Sequence, residues 1–303
     1  SRCQREGRGF DPLCPLQNKY FCMIIWISSY PKSGNTWLRS LISSYYFTKD
    51  GNFEFGILKN IPQFPKKDFF KQKISKPGEI SLYWESAQDE IIKDKKIKFL
   101  KTHNSLLAIN GNNFTTSKHA LGAIYILRDP RNVLTSLCNH YELSYDEGIS
   151  FMTNDRKSII DPDKKDDFSN FQYISSWSNH VTSWTKTNLL KKIIIKYEDL
   201  ENNPQKVLYD IILYINSITN FETEINEEKL KNCLKTTEFN TLQTNEKENG
   251  FIESIKSKNS KKKIKFFNLG FENKWKKVIP KIYHEKINEL FKQDLVKLGY
   301  KLD

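Results

Sequence analysis

The sequence lacks three features that would each define a class of protein. Its first apolar run, residues 21–27, is far shorter than the roughly 18 apolar residues of a membrane-spanning helix, and no later run approaches that length. The segment before it is polar and contains Pro12 and Pro15, unlike a signal peptide. The five cysteines are odd in number and form no C-x-x-C pair, which argues against a disulfide framework or a zinc site. We therefore expect no membrane span and a reducing, cytoplasmic location.

Arginine is also scarce. The chain has seven arginines, so its net charge of +12 is carried mainly by lysine. A basic protein attracts anionic partners. The lysines are scattered, however, and the one dense run lies at 258–265. Dispersed charge is typical of a solvated surface, so we expect no nucleic-acid partner.

Four apolar, β-branched runs predict the strands of a buried parallel sheet: 21–28, 97–100, 123–127 and 193–196. Helical patterns between them predict right-handed β-α-β crossovers, and therefore an α/β fold with a parallel sheet flanked by helices. A length of 303 residues suits one large domain or two small ones. We expect residues 1–20 to be a tail outside the fold and 21–303 to form a single domain.

The periodicity of the apolar residues predicts six main helices: 35–47, 130–143, 171–188, 204–215, 227–234 and 280–298. In the third of these, an apolar stripe of four residues is expected to belong to the core: Ile174, Trp177, Val181 and Trp184. Residues 49–78 and 145–170 lack clear periodicity and are predicted to carry binding loops. The Lys/Asn/Ser-rich stretch 244–263 is predicted to be a mobile surface loop.

The first strand ends in a tight turn that leads directly into the first helix: Ser29-Tyr30-Pro31-Lys32-Ser33-Gly34-Asn35-Thr36-Trp37. Unpaired amides and the macrodipole make such a helix start an anion site. Gly34 permits close backbone approach, Ser33 and Thr36 add hydroxyls, Lys32 adds charge, and Trp37 offers a face for a base. The alternative is an ordinary strand–helix turn with a buried tryptophan. The spacing differs from G-x-x-x-x-G-K-[ST], so ATP or GTP is not the expected ligand.

A second anion motif follows the third predicted strand: Arg128-Asp129-Pro130-Arg131-Asn132-Val133-Leu134-Thr135-Ser136. Arg128 suits a bidentate clamp on a phosphate. Pro130 suits the first helical position, and Ser136 lies about two turns along that helix, where it can face the same anion. Taken alone, the motif is also compatible with a salt-bridged turn.

Together, in this order, the two motifs resemble those of the sulfotransferases that use 3′-phosphoadenosine-5′-phosphosulfate (PAPS). The first resembles the family's 5′-phosphosulfate loop and the second its 3′-phosphate motif. The family's Lys-Thr-His is matched at Lys101-Thr102-His103, on the strand between them. The resemblance implies a P-loop-like sulfotransferase fold. It also implies transfer of a sulfuryl group from PAPS to a hydroxyl or amine acceptor, releasing PAP, without a metal.

The resemblance also implies roles for individual residues. His103 would be the general base, a role that suits a neutral imidazole near pH 7. Lys32 would serve the leaving 5′-phosphate oxygen, and Lys101 would lie near the transferring group. The remaining cofactor-binding residues would be Ser33, Gly34, Asn35 and Thr36 on the 5′ side, Arg128 and Ser136 on the 3′-phosphate, and Trp37, Tyr197 and Phe239 around the adenine.

One family signature is incomplete in this chain. The loop that closes on the 3′-phosphate is matched at Gly270 and Trp275-Lys276, but Asn268 and Leu269 stand where Arg and Lys are expected. The Gly270 amide would remain a 3′-phosphate contact. The lysines that are candidates to replace the missing charges are Lys261, Lys262, Lys263, Lys265 and Lys274.

Two other functions compete with this interpretation. A P-loop-related nucleotide kinase is disfavoured by the missing Gly-Lys-Ser/Thr. A non-catalytic PAP- or polyanion-binding module is suggested by Asn268 and Leu269, but it would not need a base at His103. The acceptor is expected to be a small molecule or a carbohydrate, and the sequence leaves phenol, alcohol, sugar hydroxyl and amine open. A homodimer is compatible with the sequence.

Overall fold

The computed structural model describes residues 23–160, 166–221, 224–257, 260 and 262–302. The predicted tail 1–20 lies outside the described residues, as do Cys3, Cys14 and Cys22. The strands are β1 (Ile24–Ser29), β2 (Lys98–Thr102), β3 (Ala108–Ile109), β4 (Asn112–Asn113), β5 (Ala120–Leu127), β6 (Ser158–Ile159), β7 (Gln172–Tyr173) and β8 (Lys192–Lys196).

Four of these strands form the central sheet, in the order β2-β1-β5-β8. Every pairing in it is parallel, with Ile27 opposite Lys101 on one side and Ile124 on the other. The parallel sheet predicted from the apolar runs is therefore confirmed. The remaining four strands form two short antiparallel pairs, β3 with β4 and β6 with β7.

The α-helices are α1 (Asn35–Phe47), α2 (Trp84–Ile91), α3 (Pro130–Tyr141), α4 (Tyr145–Thr153), α5 (Trp177–Thr185), α6 (Tyr197–Asn202), α7 (Pro204–Thr219), α8 (Glu227–Thr236), α9 (Phe239–Asn249), α10 (Trp275–Val278) and α11 (His284–Lys297). Among the described residues, none of these helices is long and apolar enough to cross a membrane.

The two central strands, β1 and β5, are buried on both faces because their residues are mostly apolar, whereas Ile194 of the edge strand β8 is exposed. Side chains alternate along β1, so that Ile24 and Trp26 pack with α3, α5 and α11, whereas Ile25 and Ile27 pack with α1 and α7. The two resulting cores lie on opposite sides of the sheet. The α/β fold class, with helices flanking a parallel sheet, is confirmed.

The helix predicted at 171–188 is wrong in its first part. Residues Gln172–Tyr173 form a strand instead, and the chain turns at Ser175, where φ is +59°. The Ser176 side chain then accepts a hydrogen bond from the amide of Asn179 and caps α5, so the helix begins at Trp177. The predicted apolar stripe is nevertheless buried in the core.

Two segments predicted to lack helix contain one. Residues 145–153 form α4, which begins with a capping box between Ser144 and Glu147. Helix α9 occupies the first part of the stretch 244–263, and Glu253, which follows it, lies in the candidate site. The predicted loop is therefore wrong at residues 244–249, which are helical, whereas residues 250–257 belong to no helix; Lys258, Asn259 and Lys261 lie outside the described residues.

Candidate active site

A cavity of about 1410 Å³ opens beyond the carboxyl ends of β1, β2 and β5. Ligands of open parallel sheets bind at this edge because the loops that follow neighbouring strands converge there. The residues of all three sequence motifs line the cavity: Lys32 and Gly34 through Trp37 after β1, Lys101 and His103 at β2, and Arg128 and Ser136 after β5. Tyr197, Phe239 and Gly270 line the same cavity. The structure therefore brings together all the predicted site residues except Ser33, which is buried and does not line the cavity.

The turn after β1 requires glycine. Gly34 adopts φ +97°, and a Cβ built there would lie 2.4 Å from Cδ2 of Tyr197. The neighbouring Lys32 is also left-handed, at φ +67°. Ser33 between them does not have a positive φ, and such an alternation of hand can turn successive amides toward one side, the backbone arrangement that surrounds an anion.

Asn35 stabilises this turn from behind. Its Nδ2 donates to the carbonyl of Ile27, at 3.3 Å, and to Oγ of Ser29, at 3.2 Å. Its side chain is therefore committed to the end of β1. What Asn35 offers a ligand is its backbone amide at the start of α1.

The ammonium group of Lys32 lies against an aromatic ring in the cavity. Its Nζ lies 3.8 Å from the ring centroid of Phe266. Burial lowers the pKa of Lys32 to about 7; Glu253 opposes this shift, whereas Lys101 and Arg128 add to it. A bound phosphate would favour the ammonium form, so this lysine is suited to respond to an anionic ligand.

Arg128 joins the two phosphate motifs. Its Nη1 donates to the carbonyl of Lys32 and to Oγ of Ser136, both at 3.3 Å. Its guanidinium lies 3.8 Å from the ring centroid of Tyr197. Its Nε is buried and has no partner among the described residues. A buried cation with two long bonds and an unused donor fits an anion such as a 3′-phosphate.

The loop in which Asn268 and Leu269 stand in place of the expected basic pair contacts Ser136 through the side-chain amide of Asn273. Nδ2 of Asn273 donates to Oγ of Ser136, at 3.0 Å, and to the carbonyl of Asn132, at 2.9 Å. Lys274 points to Glu201, 3.4 Å away. Asn273 was not predicted, although it lies between the matched residues Gly270 and Trp275.

Aromatic rings form one end of the cavity. The ring of Trp37 has its centroid 5.8 Å from that of Tyr197 and 6.0 Å from that of Phe271, both edge-on. Phe239 lies 6.1 Å from Phe271. Gly270 packs directly on Phe239, since a Cβ there would lie 2.4 Å from its ring. Trp37, Tyr197 and Phe239 line the cavity and could enclose a base, and Phe271, which was not predicted, packs against two of these rings from outside the lining.

His103 has a defined tautomer. Its Nδ1 lies 2.8 Å from the carbonyl oxygen of Ser29, which can only accept, so Nδ1 carries the proton and Nε2 has the free lone pair. The His103 amide donates to Oε1 of Gln172, at 2.8 Å. Burial, and next Lys101, hold the pKa of His103 well below its usual value. The imidazole is therefore neutral at pH 7, as a general base must be.

Glu253 and His140 are among the ionisable residues that line the cavity and were not predicted. Glu253 accepts hydrogen bonds from Thr36 and Lys101. His140 lies one turn beyond Ser136 on α3, and burial lowers its pKa to about 3, so it is neutral. Neither residue belongs to a sequence motif. Both reach the cavity only through the tertiary fold, so no local pattern indicates them.

Comparison with known proteins identifies one family. The family model described as a sulfotransferase domain matches residues 24–299. Dog sulfotransferase 1A1 is 25% identical over 197 residues, covering 62% of this chain and 57% of that protein. Dog sulfotransferase 1B1 is 24% identical over 286 residues, covering 89% of this chain and 83% of that protein.

The fold is similar to that of a solved structure. Mouse sulfotransferase SULT7A1 complexed with PAP matches with a TM-score of 0.57 and 17% identity, covering 92% of this chain and 85% of that one. At this level of identity the similarity concerns the fold alone. The sulfotransferase fold that the resemblance implied, a parallel sheet flanked by helices, is confirmed.

Proposed function

The chain belongs to the sulfotransferase domain family, and on that basis we propose that it transfers a sulfuryl group from PAPS to a hydroxyl or amine acceptor, releasing PAP. The observation that carries the proposal is the arrangement of His103 between the two anion-binding motifs. Its Nδ1–H is held by the Ser29 carbonyl, and the same cavity is lined by Lys32, Lys101 and Arg128. A base beside converging cations suits transfer between an anionic donor and a hydroxyl.

The residues present fit PAPS at both ends. On the 5′ side, the left-handed turn at Lys32 and Gly34 and the backbone amide of Thr36 would bind the phosphosulfate, since the Thr36 hydroxyl donates to Glu253. On the 3′ side, Arg128 and Ser136 would bind the phosphate that distinguishes PAPS from ATP. PAPS supplies the sulfuryl group and leaves as PAP.

The protein's own contribution is positioning, charge and one proton transfer. Nε2 of His103 takes the proton from the acceptor as its oxygen or nitrogen attacks the sulfur. Lys32 stabilises the negative charge that develops on the phosphate oxygen as its bond to sulfur breaks. Lys101, at the carboxyl end of β2, stabilises the charge on the transferring group.

The remaining expectations are retained as proposals. We propose a small-molecule or carbohydrate acceptor, because the acceptor side of the cavity combines Gln63, Gln172 and His140 with apolar side chains. A cytoplasmic location, the possibility of a homodimer, the absence of a nucleic-acid partner and independence of metals stay predictions from the sequence.

Calorimetry with PAP and ATP tests the proposal without knowledge of the acceptor. We expect PAP to bind far more tightly than ATP, since Arg128 and Ser136 would contact a 3′-phosphate that ATP lacks. Equal or tighter binding of ATP would favour the kinase alternative and contradict the proposal.

A further inference from the structure

Glu253 bridges two cations and a hydroxyl at the edge of the candidate site. Its Oε1 accepts hydrogen bonds from Nη1 of Arg39, at 2.6 Å, and from Nζ of Lys101, at 3.2 Å. Its Oε2 accepts one from Oγ1 of Thr36, at 2.9 Å. Thr36, Lys101 and Glu253 line the cavity, whereas Arg39 does not. The carboxylate therefore lies between a cation behind the cavity and a cation inside it.

Arg39 anchors this carboxylate. The Arg39 side chain is 5% exposed, and its other hydrogen bond, to the carbonyl of Leu58, is long at 3.5 Å. Moving Glu253 away would leave a buried guanidinium without a carboxylate among the described residues, which is strongly unfavourable. Oγ of Ser254 also donates to Glu246 of α9, at 2.6 Å, and ties the segment down. Glu253 is thus built to stay in place when an anion enters the cavity.

We propose that Glu253 is a positioning residue for the sulfuryl transfer, which holds the Lys101 ammonium at the carboxyl end of β2 through its own anchor on Arg39. This inference rests on the proposed function and deepens it, because Lys101 is the residue expected beside the transferring group. An ammonium on a flexible stem has no fixed direction of its own. A carboxylate within hydrogen-bond distance gives it one.

The carboxylate also governs the charge of Lys101. Burial lowers the pKa of Lys101, Glu253 opposes this shift, and Arg39 adds to it. The other charged or titratable groups that act on this part of the cavity are His103 at the end of β2, Lys32 in the turn after β1, and His140 on α3. In a variant without the Glu253 carboxylate, no described carboxylate is bonded to Lys101. The pKa of Lys101 should therefore fall, and Lys101 should lose its proton at a lower pH than in wild type.

The test compares Glu253→Gln with wild type, and uses Glu248→Gln as a control that removes the same charge from an exposed position. For Glu253→Gln we expect kcat to fall about 10²-fold, the typical effect of losing one electrostatic contact in a transition state. PAP affinity should not weaken, because no donor to the nucleotide is removed. The alkaline limb of the kcat profile should move to lower pH. Glu248→Gln should match wild type in all three measurements.

The double variant Arg39→Met, Glu253→Gln distinguishes two roles of Glu253: holding the Lys101 ammonium in place and neutralising the buried Arg39 guanidinium. It removes the buried guanidinium together with the carboxylate that pairs with it, so we expect it to recover the melting temperature that Glu253→Gln loses, while kcat remains low. This variant also provides the kcat measurement if Glu253→Gln alone does not fold. Recovery of kcat in the double variant, or unchanged kcat in Glu253→Gln, would overturn the inference and leave the proposed function intact. Wild-type protein that neither binds PAP nor transfers sulfuryl would instead overturn the proposed function, and this inference with it.

Discussion

The guanidinium of Arg128 lies on the ring of Tyr197, 3.8 Å from its centroid, and the same ring packs against Gly34. A single aromatic side chain at the start of α6 thus supports both the turn after β1 and the arginine after β5. Cation–π contact and the bond from Arg128 to the Lys32 carbonyl fix the two anion-binding motifs relative to each other. The distance between them is set before any ligand arrives.

His103→Ala should abolish most of the transfer to hydroxyl acceptors and leave PAP binding near normal. The imidazole acts on the acceptor proton, and losing a general base costs on the order of 10²–10⁴ in rate. Turnover and PAP calorimetry measure the two effects. His284→Ala, a histidine outside the cavity, is the control. Full turnover by His103→Ala would remove His103 from the mechanism.

Arg128→Ala should weaken PAP binding more than any single lysine substitution between 261 and 276. A charge-assisted hydrogen bond is worth roughly 1.5–3 kcal/mol, which corresponds to about 10–100-fold in affinity. Lys274→Ala is the matched control, because its ammonium points to Glu201. We expect Leu269→Lys to leave affinity unchanged or improve it. If a lysine variant lost as much affinity as Arg128→Ala, the 3′-phosphate contact would have to be reassigned to that lysine.

Gly34→Ala should destabilise the protein and impair PAP binding. A left-handed alanine costs about 1–2 kcal/mol, and the clash with Tyr197 adds about 1–3 kcal/mol. Gly56→Ala is the control, since its Cβ would meet nothing within 4 Å. Denaturant unfolding compares the two variants. Equal stability of both would show that the turn tolerates a side chain at position 34.

PAP binding should take up protons at pH 8. With a pKa of about 7, Lys32 is mostly neutral at that pH in the free protein, and a phosphate beside it raises the pKa. Affinity should therefore fall as pH rises above 7. Calorimetry in two buffers of different ionisation enthalpy measures the uptake, which should shrink in Lys32→Met. Binding without proton exchange in the wild type would contradict this role.

Much of the fold and of the site was predictable because local rules determine it. Each strand of the central sheet contains a run of apolar residues, and the turn at Lys32 and Gly34 carries its own backbone requirements. Convergence of Lys101, His103 and Arg128 follows from the parallel order, since neighbouring strands end at one edge. Helix α4 was missed although the capping box at Ser144 and Glu147 is readable in the sequence.

Glu253 could not be predicted from local patterns. Its bond to Arg39 joins residues 214 positions apart, and its flanking sequence, Phe251-Ile252-Glu253-Ser254-Ile255, matches no functional motif. Asn273 and Phe271 belong to a loop whose family pattern is altered, so their contacts with Ser136 and Trp37 depend on how the loop packs. Such contacts are tertiary and have no sequence spacing of their own.

Incubation with sulfur-labelled PAPS and a panel of phenols, alcohols, sugars and amines tests the central claim most directly. Mass spectrometry of the products should find a sulfated acceptor and PAP in equal amounts with wild-type protein, and almost none with His103→Ala. Label that remains on the nucleotide with every acceptor class would contradict the assignment of sulfuryl transfer to this cavity.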